Sequence, residues 1–398
     1  MIPPYPCPPG SRACRSCRLW DTMVPGDAGV GMLYGQWQGS FQGTNSGEVV
    51  FDADRQGQRV VGSAYAYDAS GLPGVLVRFD LPGNVARQTA TLPVELLHPT
   101  EARLMPLAEA TARFPGVTFP ATVQMTLQAG QRTLNITWTS SAGTQGTATL
   151  WPSKAAKPST YKGERGIRTW AQFKKFATNL EPDRFIFRGQ SMGHRLRTAF
   201  HRTRRKDLLL YLFKDVPMLH RVLTAQTRHL FDLNDPRQMG AFLNLAQHHG
   251  FPTPLLDWSH SPFVAAYFAF TGDPRPSADS RKVRILMFDR REWAARYPQL
   301  QYLTLCRPHF SLLEALAIEN ERAIPQQSLS TVTNVDDIET YIRAREADTG
   351  YRFLRVFDLL RSERETVERE LRLMGITAAS MFPGLEGACT ELKRRLFN

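Results

Sequence analysis

Six residues able to bind or do acid–base chemistry fall in one short stretch: Gln247, His248, His249, Thr253, Asp257 and Trp258, interrupted by Gly250, Pro252 and Pro254. A neutral imidazole there could be a general base, a donor to a ribose hydroxyl or a stacking surface. Equally, a histidine at a helix end satisfies that helix's last carbonyls. The two histidines do not suggest a metal, because neighbours on a helix point about 100° apart and no third ligand is near. Asp257 could orient an arginine or a histidine, or cap the next turn. Upstream, Phe185-Ile186-Phe187 ends in Arg188-Gly189-Gln190. Arg188 offers a planar fork to a phosphate or carboxylate, and Gly189 would let a ligand approach the backbone. The competing use for Arg188 is an internal carboxylate such as Asp257.

Other polar groups lie further along the chain. Arg322, Gln326 and Gln327 stand in a stretch otherwise suited to packing, and Glu386 follows Phe-Pro-Gly-Leu at a helix start. A carboxylate in a first turn also simply compensates the helix dipole. His194 to Lys206 carries Arg195, Arg197, Arg202, Arg204 and Arg205 with Phe200 interleaved. That pattern suits either a phosphate backbone or a solvated basic face. Cys14-x-x-Cys17 is half of a zinc site with no second half. No nucleophile-elbow Gly-x-Ser-x-Gly, Walker loop or dinucleotide Gly-x-Gly-x-x-Gly is present.

These groups need elements to hold them. Met239, Phe242, Leu243, Leu245 and Ala246 form a helical stripe that Gly250 and the prolines stop. Ser261-Pro262 starts an apolar, buried helix over 263–270, so the polar stretch reads as a loop between two core helices. Thr169 and Gln172 form a capping box before Trp170, Phe173 and Phe176, and Ser362 to Glu365 spells another. Helices are expected over 208–212, 218–230, 311–319 and 334–345, and strands over 185–187, 283–288 and 351–359. This irregular mixture predicts an α+β domain over 169–398.

Before it, residues 32–151 alternate short strands with turns such as Gly71-Leu72-Pro73-Gly74, which predicts an antiparallel β-sandwich or barrel. Residues 152–168, rich in Pro, Gly and Lys, read as a linker, and residues 1–31 as a disordered leader with Met23 or Met32 as alternative starts. Of the net charge of +12, +10 lies after residue 160, which permits a nucleic-acid partner. The β domain is a candidate for binding a partner or trigger. No apolar run of about 18 residues exists, so no membrane span is expected, and a reducing cytoplasmic location fits the free cysteines.

Five pieces resemble the FRG family: Phe187 to Gln190; Leu245 to Trp258; the alanine-rich helix of Ala265 to Ala269; Arg322 with Gln326-Gln327; and Phe382 to Gly387. Pro254 and Ser328-Leu329-Ser330 depart from the family pattern. Members occur among toxin and phage-defence proteins, and their layout resembles ADP-ribosyltransferase folds that use NAD as substrate. The resemblance implies Arg188 as the NAD clamp, His248 and Thr253 along the ribose, and Trp258 or Phe251 on a ring. It implies Glu386 as the late carboxylate, with Glu319 and Glu321 as alternatives. Gln190, Gln247, Asp257, Arg322 and Gln326 complete the implied NAD-binding set. The second reading is a non-catalytic module that binds a nucleotide or nucleic acid.

Overall fold

A computed structural model describes residues 33–272 and 281–397. The leader, its three cysteines and both alternative starts lie outside the described residues. Nine strands build the first sheet: β1 (Gly35–Gly43), β2 (Gly47–Gln56), β3 (Arg59–Asp68), β4 (Gly74–Pro82), β5 (Arg87–Pro93), β6 (Glu95–Leu97), β7 (Thr122–Ala129), β8 (Leu134–Ser140) and β9 (Gln145–Pro152). Their order is β5-β7-β8-β9-β1-β2-β3-β4-β6, antiparallel throughout. β5 returns against β4, so the sheet nearly closes into a barrel. Alternate side chains fill it: Trp37, Phe41, Phe51, Phe79, Leu127, Ile136 and Leu150. Phe51 and Phe79 stack with centroids 4.4 Å apart. β1 escaped the sequence reading because only Trp37 and Phe41 mark its inner face among Gly and Gln.

The second sheet contains β10 (Phe185–Gln190), β11 (Leu255–Ser259), β12 (Lys282–Asp289), β13 (Phe310–Leu313), β14 (Ser328–Thr333) and β15 (Leu354–Leu360), in the order β13-β14-β11-β10-β12-β15. Helices are α1 (Leu107–Arg113) beside the barrel, then α2 (Trp170–Ala177), α3 (Ala199–Arg202), α4 (Leu208–Leu210), α5 (Val216–Leu223), α6 (Pro236–His248), α7 (Pro262–Thr271) and α8 (Arg290–Arg296). They continue with α9 (Ile338–Thr349), α10 (Arg364–Leu373), α11 (Ala378–Met381) and α12 (Leu385–Phe397). One sheet face packs on α2, α7 and α10 through Phe173, Phe187, Phe270, Phe357 and Leu371. The other buries Ile186, Trp258, Phe288, Trp293 and Ile338. The α+β expectation holds, and both the Thr169 capping box and the Ser261 cap form as read.

Four local expectations fail. Residues 311–319 are not a helix: Phe310–Leu313 pair with β14, and sheet pairing overrides the helix-forming Leu, Glu and Ala that follow. Leu255–Ser259 is a strand rather than loop, paired with β14 over five residues. Ser362 forms no capping box, because a 3₁₀ turn over Arg361–Glu363 leads into α10. The expected linker is a strap on the second sheet. Ser159 donates to Glu339 Oε2 at 2.8 Å, the buried Tyr161 to Glu346 Oε2 at 2.9 Å, and Glu164 N–H to Val356 O at 2.9 Å.

Candidate functional site

The sheet opens where the motif residues meet. β10 pairs with β12 over six residues but touches β11 through a single pair, Phe187 with Ser259. Strand alternation sends Phe187 and Gly189 toward α7, so Arg188 and Gln190 leave by the opposite face. Gly189 does not leave room for a ligand. A Cβ there would lie 1.9 Å from Ala265 O and 2.6 Å from Ala269 N, so the glycine admits the backbone of α7.

Arg188 Nη1 donates to the Asp257 carbonyl oxygen at 2.5 Å, across the gap between the strands. Its Nε is buried with no hydrogen bond, and so is Gln190 Oε1. Burial pulls the Arg188 guanidinium down to about 10; Asp257 resists this and Arg202 adds to it. Arg202 is lowered too, by burial and by Arg197, although its side chain keeps an exposed edge. It makes no side-chain hydrogen bond to a described residue. The segment bearing it is anchored by Phe200 N–H to Thr253 O at 2.9 Å. Arg202 thus lies close enough to depress Arg188.

The Asp257 carboxylate faces α6, where Gln247 Nε2 donates to its Oδ1 at 2.5 Å. Thr253, wholly buried, donates its hydroxyl to Gln247 Oε1. Thr253 therefore fixes the amide orientation of Gln247, which in turn aims Asp257. His248, next along α6, joins a different chain. Its Nδ1 meets Asn320 Oδ1 at 2.7 Å, Asn320 donates to Asn244 Oδ1, and Asn244 Nδ2 donates to Ser330 Oγ at 2.9 Å. The helix-end carbonyl of His248 is satisfied by Arg322 Nη1 at 3.1 Å, not by a histidine ring. Arg322 also meets Glu386 at 3.4 Å and lies 5.2 Å over the Phe382 ring. Glu386 is 80% exposed, in the first turn of α12.

The end of α6 therefore serves two clusters: Arg188, Asp257, Gln247 and Thr253 on one side, and His248, Asn320, Arg322 and Glu386 on the other. No hydrogen bond or ion pair among the described residues joins Arg188 to Glu386. Gln326 lies apart, donating to Met381 O at 2.9 Å and accepting from Ser259 Oγ through its carbonyl at 2.7 Å. Trp258 is a core residue, 5.8 Å from Phe288, with its Nε1 on Thr331 Oγ1 at 3.0 Å. Phe251 packs 6.3 Å from Tyr211. The sequence reading missed Asn244 and Asn320; the signal for Asn244 was an amide flanked by Leu243 and Leu245 on a core helix.

A family model for the FRG domain matches residues 183–278. The chain carries an FRG domain. The match takes in Arg188, the α6 end, β11 and α7; Arg322, Gln326 and Glu386 lie beyond it. No curated protein matches the chain. Among solved structures, a redesigned beta barrel, mFAP1, bound to DFHBI, is similar to 30% of this chain and 94% of that one, at 14% identity and a TM-score of 0.21. A likeness that low carries no inference.

The arginine-rich stretch inside the FRG match is neither a free basic face nor an open phosphate track. Arg195 meets Asp337 at 2.6 Å, Arg197 meets Asp336 at 2.5 Å, and Arg205 meets Asp54 at 2.7 Å and Asp215 at 2.9 Å. Lys206 donates to the carbonyls of His201 at 2.6 Å and Thr203 at 2.9 Å. Arg202 and Arg204 keep exposed side chains. Asp54 belongs to β2, so this stretch also joins the FRG region to the barrel.

Proposed function

We propose that the FRG domain binds the phosphates of a nucleotide between Arg188 and Arg202, and that the nucleotide is NAD, cleaved for transfer of ADP-ribose to a nucleic acid or protein. The supporting observation is the buried Arg188 Nε that lacks an acceptor, on a guanidinium that burial and the neighbouring Arg202 both depress. An anion between them would relieve both at once. A held pyrophosphate fixes the ribose while the nicotinamide–C1′ bond breaks. The bonding electrons leave with nicotinamide, and a carboxylate near C1′ steadies the developing positive charge. Asp257, next to Arg188 and aimed by Gln247, is the better placed carboxylate; Glu386, tied to Arg322, is the one the family resemblance implies. The β-barrel would serve as the module that binds a partner or trigger, in a toxin or phage-defence setting.

The second reading, a binding module without turnover, draws support from how fully Thr253 and Gln247 are engaged with each other and with Asp257, and His248 with Asn320. Labelled NAD separates the two. Nicotinamide release lost in Arg188→Ala is expected, with Asp257→Asn and Glu386→Gln showing which carboxylate is needed. Tight NAD binding with no release under any acceptor, RNA, DNA or protein, would favour the binding module. Absence of nucleotide binding by the wild type would end the first reading, and absence of nucleic-acid binding as well would end both.

A further inference from the structure

The helix α12 is inside out. Its inner side carries Gly387, which is buried, and the half-buried Thr390, Glu391 and Arg394. A Cβ on Gly387 would lie 1.9 Å from Phe382 O, so the helix is pressed onto the segment before it. Glu391, its side chain 14% exposed, accepts from Ala378 N–H at 3.2 Å and meets Arg372 at 3.6 Å. Arg394 lies 5.9 Å over the Tyr267 ring. The apolar side faces away: Leu385 is 86% exposed, Leu392 51% and Leu396 70%, with Cys389 exposed between them. The order 385, 389, 392, 396 is the alternating four-and-three spacing of a coiled-coil seam, and all four side chains fall within one narrow stripe of the helix. Leu373 and Met374, beside the Arg372 that ties α10 to α12, are exposed as well.

We infer that this stripe docks against the same stripe of a second copy of the chain, the two α12 helices running antiparallel. The charges beside the seam select this occupant and direction. Glu386 and Lys393 lie on one flank, seven residues apart, and Arg395 on the other. A two-fold antiparallel pair brings each such flank against its own copy in reverse, so Glu386 meets Lys393 of the partner subunit, twice. A parallel pair would set that flank against the one carrying Ala388 and Arg395, which has no acidic group to meet Lys393. The seam is narrow and its only aromatic, Phe397, falls off it, which suits a helix partner better than a bilayer surface. Thirteen residues of helix make a short seam of about 20 Å, so the dimer is weak and concentration-dependent.

Sedimentation equilibrium of the full chain tests this. The expected result is a reversible shift from 44.9 kDa to twice that mass in the micromolar range. Leu392→Glu should weaken the dimer at least about tenfold. Glu386→Lys and Lys393→Glu should each weaken it, and the double swap should restore it. A monomer up to about 100 μM overturns the inference, as does a dimer indifferent to Leu392→Glu. Failure of the double swap to restore association overturns the antiparallel arrangement. A monomer that sediments with phosphatidylglycerol vesicles, and loses that ability in Leu392→Glu, assigns the stripe to a membrane surface instead.

Discussion

At the residue scale, Arg188 is costly where it stands. It is charged, half-buried and left with one backbone hydrogen bond and an unsatisfied Nε. Burial lowers it from its ordinary value to about 10, so the folded chain bears a penalty for its charge. The anion proposed to bind there would offset that penalty. Arg188→Met should therefore raise the free energy of unfolding by on the order of 1–3 kcal/mol, the loss of the Asp257 bond included, while abolishing nucleotide binding. Denaturant unfolding and nucleotide titration on the same variant read both effects. A Met variant less stable than the wild type would make Arg188 a structural residue and remove the main support for an anion site. Gln247, Thr253 and Asp257 behave differently, since each answers a buried polar atom of another.

At the element scale, the glycine that follows the arginine records how closely α7 crosses β10. Gly189 is the point where the helix backbone touches the strand, with Ala265 and Ala269 on the helix side. Small residues on both surfaces let the two backbones meet, and the wall behind Arg188 is built by that contact. Gly189→Ala forces the helix off the sheet, at a cost of roughly 3 kcal/mol or more. Its expected signature is loss of cooperative unfolding in the second sheet while the barrel, with its own core, still melts as a unit; calorimetry with one surviving transition would show it. The other device at this scale is the α6 terminus. Gly250, at φ 87°, ends the helix in the left-handed region, and Phe251 N–H returns to Ala246 O at 3.0 Å. That closure turns the chain sharply into β11, placing Gln247 and Asp257 within one hydrogen bond of each other.

At the scale of the whole molecule, the barrel and the FRG region share a polar, buried seam. Gln36 donates to the Asn334 carbonyl at 2.8 Å and accepts from Asp336 N–H at 2.7 Å. Tyr65 meets Thr304 at 2.8 Å, and Tyr67 donates to the Cys306 carbonyl at 2.5 Å. Asp54, fully buried, accepts from Arg205 Nε and from the backbone of Lys206 and Asp207. Several carboxylates crowd this seam, and burial with the nearby Asp54 pushes Asp207 up from 3.8 to about 6. A raised carboxylate disfavours folding once ionised, so this cost is absent below about pH 4 and complete above about pH 6. Asp207→Asn keeps the cap of α4 and removes the charge. Its unfolding free energy should match the wild type near pH 4 and exceed it above pH 6 by about 1–3 kcal/mol. A difference that does not change across that range would show that Asp207 does not titrate there.

The sequence alone carried the local devices. Thr169 with Gln172, Ser261 with Pro262 and Gly250 each act within a few residues, so their geometry is written in the neighbours. The alternation of the barrel strands and the Phe-Arg-Gly and Gln-His-His-Gly pieces of the FRG domain were legible for the same reason. Tertiary structure decided everything that needed a distant partner. Phe310–Leu313 became a strand because β14 lies beside it, and Leu255–Ser259 because β14 and β10 flank it. The arginines from 195 to 205 read as a surface until their carboxylates arrived, two from the turn just before α9 and one from the barrel. Gly189 read as room for a ligand until α7 filled it. Gln36 and Asp336 bond across 300 residues of chain. No local pattern encodes such a pair, because chain closure over that length is offset only by the packing of two complete sheets.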